Sequence, residues 1–203
     1  PKEDAERLKL LTGAVGIREC GELLLRTAYL WHEGNGEEKR EAARRFEELL
    51  RHLWEQGWAA GSSLGTTHHM GYLMRELYVA AFLMRKPLRE AGLLGEAADM
   101  TGWFSGRGRI FREAEELRGE STDTLNTLLQ GILCSILLTE DEDLQVCCLK
   151  AFRDWLSVVL RPAPGLKGPY KADGSVFHHA GHYPAYAVGG FQGAAPVVYA
   201  LSG

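Results

Sequence analysis

The sequence predicts an all-α protein whose helices stack side by side as antiparallel hairpins. Apolar residues recur at helical spacing through the first 160 residues. Glycine- and proline-marked breaks separate these periodic segments, and no segment alternates apolar and polar residues over the length of a strand. Stacked hairpins can form a bundle, a solenoid or a toroid, and the absence of a strict sequence repeat leaves all three open.

Each predicted helix rests on periodicity and on its end signals. The strongest pattern has apolar residues at i, i+3, i+4 and i+7 on one face of Glu37–Trp58 and charged residues on the other. Pro87 ends one helix, and Ser121 or Thr122 can cap another. In chain order, the predicted helices are Ala5–Leu11, Ile17–His32, Glu37–Trp58, Thr67–Arg85, Ala91–Phe104, Ser121–Leu138, Asp141–Leu160 and Phe191–Leu201.

A long segment from Arg161 to Gly193 differs in composition from the helices before it. It is rich in proline, glycine, histidine and tyrosine. Loops longer than about 12 to 15 residues are uncommon unless they carry function. The sequence therefore predicts that the chemistry of this protein involves this segment.

Composition excludes several classes of protein. The chain has 203 residues and a formal net charge of -4, which argues against a dedicated nucleic-acid binder because such a protein should carry a basic surface. No apolar run approaches the roughly 18 residues of a membrane helix. The four cysteines show no CxxC spacing and are interpreted as buried free thiols.

Three polar clusters stand out as candidates for a functional site. The first surrounds His68, His69 and Tyr72, the second surrounds Asn126, and the third extends from Asp173 to Tyr186. Histidine and tyrosine can exchange protons with a substrate, and an asparagine amide can donate hydrogen bonds to a carboxylate or enolate oxygen. Together they indicate removal of a proton from a weakly acidic carbon whose negative charge is stabilised nearby.

Simpler interpretations of the same residues stay open at this point. His178, His179 and His182, with His68 or His69, could bind zinc in a metal hydrolase. Gly181 and Pro184 argue against the helix that would align His178 with His182. Each cluster taken alone also fits ordinary packing or a solvated polar surface.

The three clusters, taken in order, resemble motifs of polysaccharide lyase family eight, specifically its chondroitin sulfate ABC lyase type. The Asp173–Ser175 turn, followed by a histidine and by Tyr183–Tyr186, is similar to the catalytic segment of that family. The His68–Tyr72 run with Arg75 and the Leu125–Thr127 run are similar to two further family motifs. The resemblance covers roughly residues 60 to 200.

The resemblance implies a domain that cleaves acidic glycosaminoglycans by β-elimination without a cofactor or metal ion. The substrates it implies are chondroitin and dermatan sulfate, with hyaluronan as a further candidate. It implies that His179 is a base, particularly for iduronate, that Tyr186 is base and acid, and that Asn126 neutralises the uronate carboxylate. It implies no nucleic-acid or membrane partner. The residues it places in the sugar-binding cleft are His68, His69, Tyr72, Arg75, His178, His182 and Tyr183.

The sequence also departs from the family pattern. Met70 stands where the family has a tryptophan, and the family's catalytic arginine and glutamate follow at positions that would lie beyond Gly203. We therefore expect residues 1–203 to be part of a single α/α toroid domain, without its remaining helices and β-sandwich domains, and to have little activity alone. The alternative is a non-catalytic helical module that binds anionic polysaccharide. The resemblance implies a secreted or periplasmic bacterial protein whose leader is not in this chain.

Overall fold

A computed structural model describes residues 16–62, 67–113, 120–179 and 181–202. These residues form an all-α fold, as predicted, and the predicted helix Ala5–Leu11 lies outside them. Apart from the helices, the described residues contain a two-stranded antiparallel ribbon, β1 (Phe177–His178) with β2 (Gly181–His182), and a 3₁₀ helix at Arg107–Phe111. The helices are α1 (Ile17–Glu33), α2 (Gly36–Glu55), α3 (Thr67–Leu83), α4 (Arg85–Glu90), α5 (Leu94–Ser105), α6 (Thr122–Thr127), α7 (Leu129–Leu137), α8 (Glu142–Val159) and α9 (Pro184–Ser202).

The helices begin where the sequence provides caps. Asn35 and Glu38 form a capping box at the start of α2, which satisfies backbone N–H groups that have no partner within the helix. The carboxylate of Asp141 accepts a hydrogen bond of 2.9 Å from the backbone N–H of Leu144 at the start of α8. None of the helices in the described ranges is long and apolar enough to cross a membrane.

Three predicted helices differ from those observed. The predicted helix Ser121–Leu138 is two helices, α6 and α7, which meet at Leu128. The hydroxyl of Thr127 donates a 2.8 Å hydrogen bond to the carbonyl of Asp123, a bond that bends helices. The predicted helix Ala91–Phe104 begins later, at Leu94, because the chain first forms the short helix α4.

The final helix begins much earlier than its predicted start at Phe191. Pro184 starts α9, because a proline at the first helical position has a suitable φ and lacks an N–H group that would be unpaired anyway. Tyr186 therefore lies in the first turn of a helix, and the long irregular segment ends at Tyr183. The position of Tyr186 is consequently fixed by helix packing.

Two apolar clusters form the core of the described residues. The first lies between α1, α2, α3 and α5 and includes Phe46, Met74 and Met100; the second lies between α6, α7, α8 and α9 and includes Phe152 and Val197. Helix α3 contacts α1 and also contacts α6 and α7, so it joins the two clusters. That these stacked helices form part of a toroid stays a prediction.

Helix α9 lies unusually close to α6. A Cβ atom on Gly193 would lie 2.6 Å from the Cα of Asn126 and would also collide with the carbonyl of Leu125. Four residues earlier, a Cβ atom on Gly189 would lie 2.9 Å from Nδ2 of Asn126. Because residues four apart share a helix face, these two glycines form a stripe along which α9 contacts α6.

Replacing Gly193 with Ala should lower the free energy of unfolding by about 1–3 kcal/mol, because the added methyl group meets backbone atoms that cannot move aside cheaply. Urea unfolding would measure the change. The matched control is Gly95→Ala in α5, where an added Cβ meets open space and should raise stability by about 0.5–1 kcal/mol. Equal effects at both glycines would contradict the close contact between α9 and α6.

Candidate active site

The candidate site lies where α3, α6, the β-ribbon and the start of α9 meet. Tyr72 comes from α3, Asp123 and Asn126 from α6, His178 from β1 and Tyr186 from α9. Gly71 precedes Tyr72, and a Cβ atom there would collide with the side chain of Thr127. The missing side chain lets α3 approach α6 closely enough for Tyr72 to contact Asp123 and Asn126.

A short hydrogen-bond chain crosses from α3 to α6. The hydroxyl of Tyr72 donates to Oδ1 of Asp123 at 2.9 Å, and Nδ2 of Asn126 donates to the same hydroxyl oxygen at 3.4 Å. Nη2 of Arg75 donates to Oδ1 of Asn126 at 3.5 Å, and the guanidinium lies 5.7 Å from the centre of the Tyr72 ring. The amide of Asn126 is thus oriented by a cation at its oxygen and a hydroxyl at its nitrogen.

The environment of Tyr72 favours its protonated form. Burial raises the pKa of the Tyr72 hydroxyl above its ordinary value, and the hydrogen bond and negative charge of Asp123 raise it further. Tyr72 therefore keeps its proton at neutral pH, and its hydroxyl donates a hydrogen bond to the Asp123 carboxylate. It is a poor candidate for a general base.

His178 lies in the interior of the site, with 6% of its surface exposed. Its Nδ1 atom is 2.7 Å from the hydroxyl of Thr122, and its Nε2 atom is 3.7 Å from Oδ2 of Asp123. The imidazole stacks on the ring of Tyr186, with 3.8 Å between ring centres and 17° between planes. Tyr183 packs edge-on against the same tyrosine ring, with centres 4.9 Å apart.

His179 is exposed at the turn that joins β1 to β2. Its φ of +50° is unusual for a residue with a side chain, because the left-handed region costs roughly 1–2 kcal/mol outside glycine. Strained backbone of this kind occurs preferentially at functional sites, where the surrounding structure holds it. The buried His178 and the exposed His179 thus present adjacent imidazoles to the interior and to solvent.

The remaining residues predicted for the sugar-binding cleft lie in different settings. His182 is exposed on β2 opposite Phe177. The pKa of Asp173 lies below its ordinary value mainly because the hydroxyl and the backbone N–H of Ser175 donate hydrogen bonds to that carboxylate, and His182 adds a smaller electrostatic contribution. Tyr183 is exposed. The backbone of His68 and His69 begins α3, but their side chains lie outside the described structure.

The β-ribbon places His178 and His182 on different strands, which agrees with the argument from Gly181 and Pro184 against a shared helix. Among the side chains that the structure describes, no three His, Cys, Asp or Glu residues converge on a point that could hold a metal ion.

Two buried residues of the site, Asp123 and Thr122, are not among the candidates that the sequence motifs provide. Asp123 is 7% exposed and contacts both Tyr72 and His178. Thr122 was interpreted only as a possible cap, but Ser121 is the cap and Thr122 contacts His178. The one sequence signal for a buried role of Asp123 is its position next to apolar residues of a helix, because a carboxylate is buried only when it has a partner.

Replacing Tyr72 with Phe should destabilise the fold by about 1–3 kcal/mol, because the buried carboxylate of Asp123 loses a hydrogen-bond donor. Chemical denaturation would measure this loss. Tyr29→Phe, at a half-exposed tyrosine of α1, is the control and should leave stability within about 0.5 kcal/mol. A Tyr72→Phe variant as stable as the control would mean that the bond to Asp123 contributes nothing.

The exposed side of this arrangement combines three chemical capacities. Asn126 and Arg75 can donate hydrogen bonds to a carboxylate, and Arg75 adds positive charge. His179 and Tyr186 can exchange protons with a bound molecule. Gly189, one helical turn after Tyr186, contacts the amide of Asn126, so the tyrosine lies one turn along α9 from that amide.

Comparison with known proteins identifies the family of this chain. Residues 2–203 match the family described as "Lyase, catalytic". The chain is 38% identical to a chondroitin sulfate ABC exolyase of Bacteroides thetaiotaomicron over 98% of its own length, and 37% identical to one of Proteus vulgaris over 96%. It is 32% identical over 75% of its length to a chondroitin sulfate ABC endolyase of Proteus vulgaris.

The aligned region corresponds to 20% of each exolyase and 15% of the endolyase, so the chain spans about a fifth or less of these relatives. The aligned region covers nearly all of the chain, well beyond the motif residues. The chain therefore belongs to the lyase catalytic-domain family, and over nearly all of its length it is similar to chondroitin sulfate ABC lyases.

Proposed function

We propose that the protein to which this chain belongs is a polysaccharide lyase that cleaves chondroitin or dermatan sulfate by β-elimination at the uronic acid. The observation that carries the proposal is a continuous set of contacts between the candidate groups. Asn126 and Arg75 are linked through Tyr72 to Asp123, which faces His178, and the rings of His179 and Tyr186 lie against His178. These are the groups that β-elimination at a uronate needs: donors for its carboxylate and residues that exchange protons. The printed names of the relatives support the choice of substrate.

The first step of the proposed mechanism is neutralisation of the uronate carboxylate. Nδ2 of Asn126 and the guanidinium of Arg75 donate hydrogen bonds to it. Arg75 has five N–H donors and uses one for the hydrogen bond to Asn126, so the others are available for the uronate carboxylate. Withdrawing negative charge from the carboxylate makes the hydrogen on the neighbouring C5 more acidic. It also stabilises the enolate-like charge that develops there.

Two proton transfers then complete the elimination. His179 or Tyr186 takes the C5 proton, the C5–H electron pair forms the C4–C5 double bond, and the bond from C4 to the glycosidic oxygen breaks. Tyr186 donates a proton to the departing oxygen. His179 serves as the base for iduronate, whose C5 hydrogen faces the opposite side of the ring from that of glucuronate.

Elimination has a direct spectroscopic test, because the product carries an unsaturated uronide that absorbs in the ultraviolet. The full-length protein incubated with chondroitin sulfate or dermatan sulfate should produce this absorbance steadily, and the new chain ends should carry the double bond. Folded full-length protein that produces no such signal on either polymer would overturn the proposal. Binding without turnover in the same samples would favour the non-catalytic, polysaccharide-binding module.

A further inference from the structure

A buried group of side chains lies directly behind the proposed proton-transfer residues and is not used by the mechanism above. Asp123, Thr122 and His178 connect α6 to β1, and Asp123 also accepts a hydrogen bond from the hydroxyl of Tyr72 in α3. His178 and Asp123 are both almost completely buried. A substrate therefore cannot reach these residues in the way that it reaches the exposed His179.

We infer that His178 and Asp123 are positioning residues that orient Tyr186 for proton transfer, an inference that rests on the proposed lyase function. The Thr122 hydroxyl lies 2.7 Å from Nδ1 of the imidazole, within hydrogen-bond distance, and Oδ2 of Asp123 faces Nε2 at 3.7 Å. The buried imidazole lies between these two groups, and the Tyr186 ring stacks on its face. Tyr183 contacts the same ring edge-on, so the tilt of Tyr186 is set by aromatic contacts.

The same pair also connects the two halves of the proposed mechanism. One oxygen of Asp123 accepts from Tyr72, whose hydroxyl accepts from the amide of Asn126, while the other oxygen faces His178. The carboxylate-binding amide and the proton-transfer tyrosine are thus oriented by one buried carboxylate. A displacement of about 1 Å in such a site can cost about 10²-fold in rate.

His178 also bears on His179. The two rings lie 3.9 Å apart, and His179 has the strained φ of +50°. Anchoring His178 in the interior holds the next residue in the turn, where its side chain is exposed. Loss of the anchor should therefore relax the turn as well as free the Tyr186 ring.

The inference is tested with His178→Phe in the full-length protein, which keeps a flat ring but loses the contacts to Thr122 and Asp123. We expect kcat on chondroitin sulfate to fall by about 10²-fold while KM changes by less than about threefold, because the substrate does not touch His178. Thr122→Val, which removes one hydroxyl without changing the side-chain volume much, should show the same pattern with a smaller loss. His52→Phe, at an exposed histidine of α2, is the control and should leave both constants unchanged.

A second comparison separates positioning from general damage to the fold. The substrate for this comparison is chondroitin sulfate, whose glucuronate does not use His179 as its base. In a Tyr186→Phe background, His178→Phe should cause little further loss of the residual kcat, because the residue through which it acts has already lost its hydroxyl. An equal fold-loss of kcat in both backgrounds would overturn the inference. So would a loss of kcat/KM that comes from a rise in KM with kcat unchanged.

A crystal structure of the His178→Ala variant provides a readout that does not need activity. We expect the Tyr186 ring to leave the orientation it has in the wild type; an unchanged ring would overturn the inference. If the wild-type protein shows no elimination on any polymer, the proposed function fails, and this structural comparison still decides whether His178 orients Tyr186.

Discussion

Replacing Tyr186 with Phe should reduce kcat for elimination by about 10²–10⁴-fold, the usual contribution of a general acid or base. The substitution removes only the hydroxyl group, so the stack on His178 and the edge contact with Tyr183 can persist. Stability should therefore change little, and KM should stay close to that of the wild type. Initial rates of unsaturated-uronide formation by the full-length variant would measure the loss.

Tyr199→Phe is a matched control for this experiment. Tyr199 lies on the same helix, α9, and is 83% exposed, so losing its hydroxyl should affect neither the rate nor the fold. A Tyr186→Phe variant within about threefold of this control would remove Tyr186 from the proton transfers. His179 would then be the remaining candidate for the base, and another group would have to protonate the leaving oxygen.

Comparing the polymers distinguishes the two bases. If His179 removes the C5 proton of iduronate, His179→Ala should slow cleavage of dermatan sulfate far more than cleavage of chondroitin sulfate. Tyr186→Phe should slow both, because its hydroxyl protonates the leaving oxygen in either case. The ratio of the two rates is therefore more informative than either rate alone.

The positions of α1, α2, α3 and α8 could be predicted from the sequence because their periodicity reflects burial directly. The stripe in Glu37–Trp58 became the buried face of α2, with Phe46 and Leu50 in the core. The boundary at Leu128 could not be predicted in this way, since apolar spacing continues through it. A hydrogen bond from the Thr127 side chain to the carbonyl of Asp123 accompanies the boundary, and periodicity does not report such a bond.

The site shows the same division between local and long-range information. Motif residues such as Asn126 and Tyr186 could be selected from the sequence because their types and order suggested chemistry. That His178 is buried while the adjacent His179 is exposed could not be predicted, because it depends on a two-residue strand and a left-handed residue after it. The role of Asp123 depends on contacts with Tyr72 and His178, each more than 50 residues away in the chain.

Replacing Asn126 with Ala should lower kcat/KM by about 10²–10³-fold, the cost of removing one donor that stabilises developing negative charge. Asn126→Asp has almost the same size but puts a negative charge beside both Asp123 and the uronate carboxylate, so we expect a still larger loss. Asn35→Ala is the control: it removes the cap of α2, costs about 1 kcal/mol of stability, and should leave turnover unchanged.

A chemically modified substrate tests the reason for the loss at Asn126. In a polysaccharide whose uronates are methyl esters, the carboxylate charge is already removed, and elimination no longer needs a group that neutralises it. The deficit of Asn126→Ala relative to the wild type should then shrink from about 10²–10³-fold toward about tenfold. The same deficit on both substrates would mean that Asn126 acts by holding Tyr72 and Arg75 in place, because that role does not depend on the substrate charge.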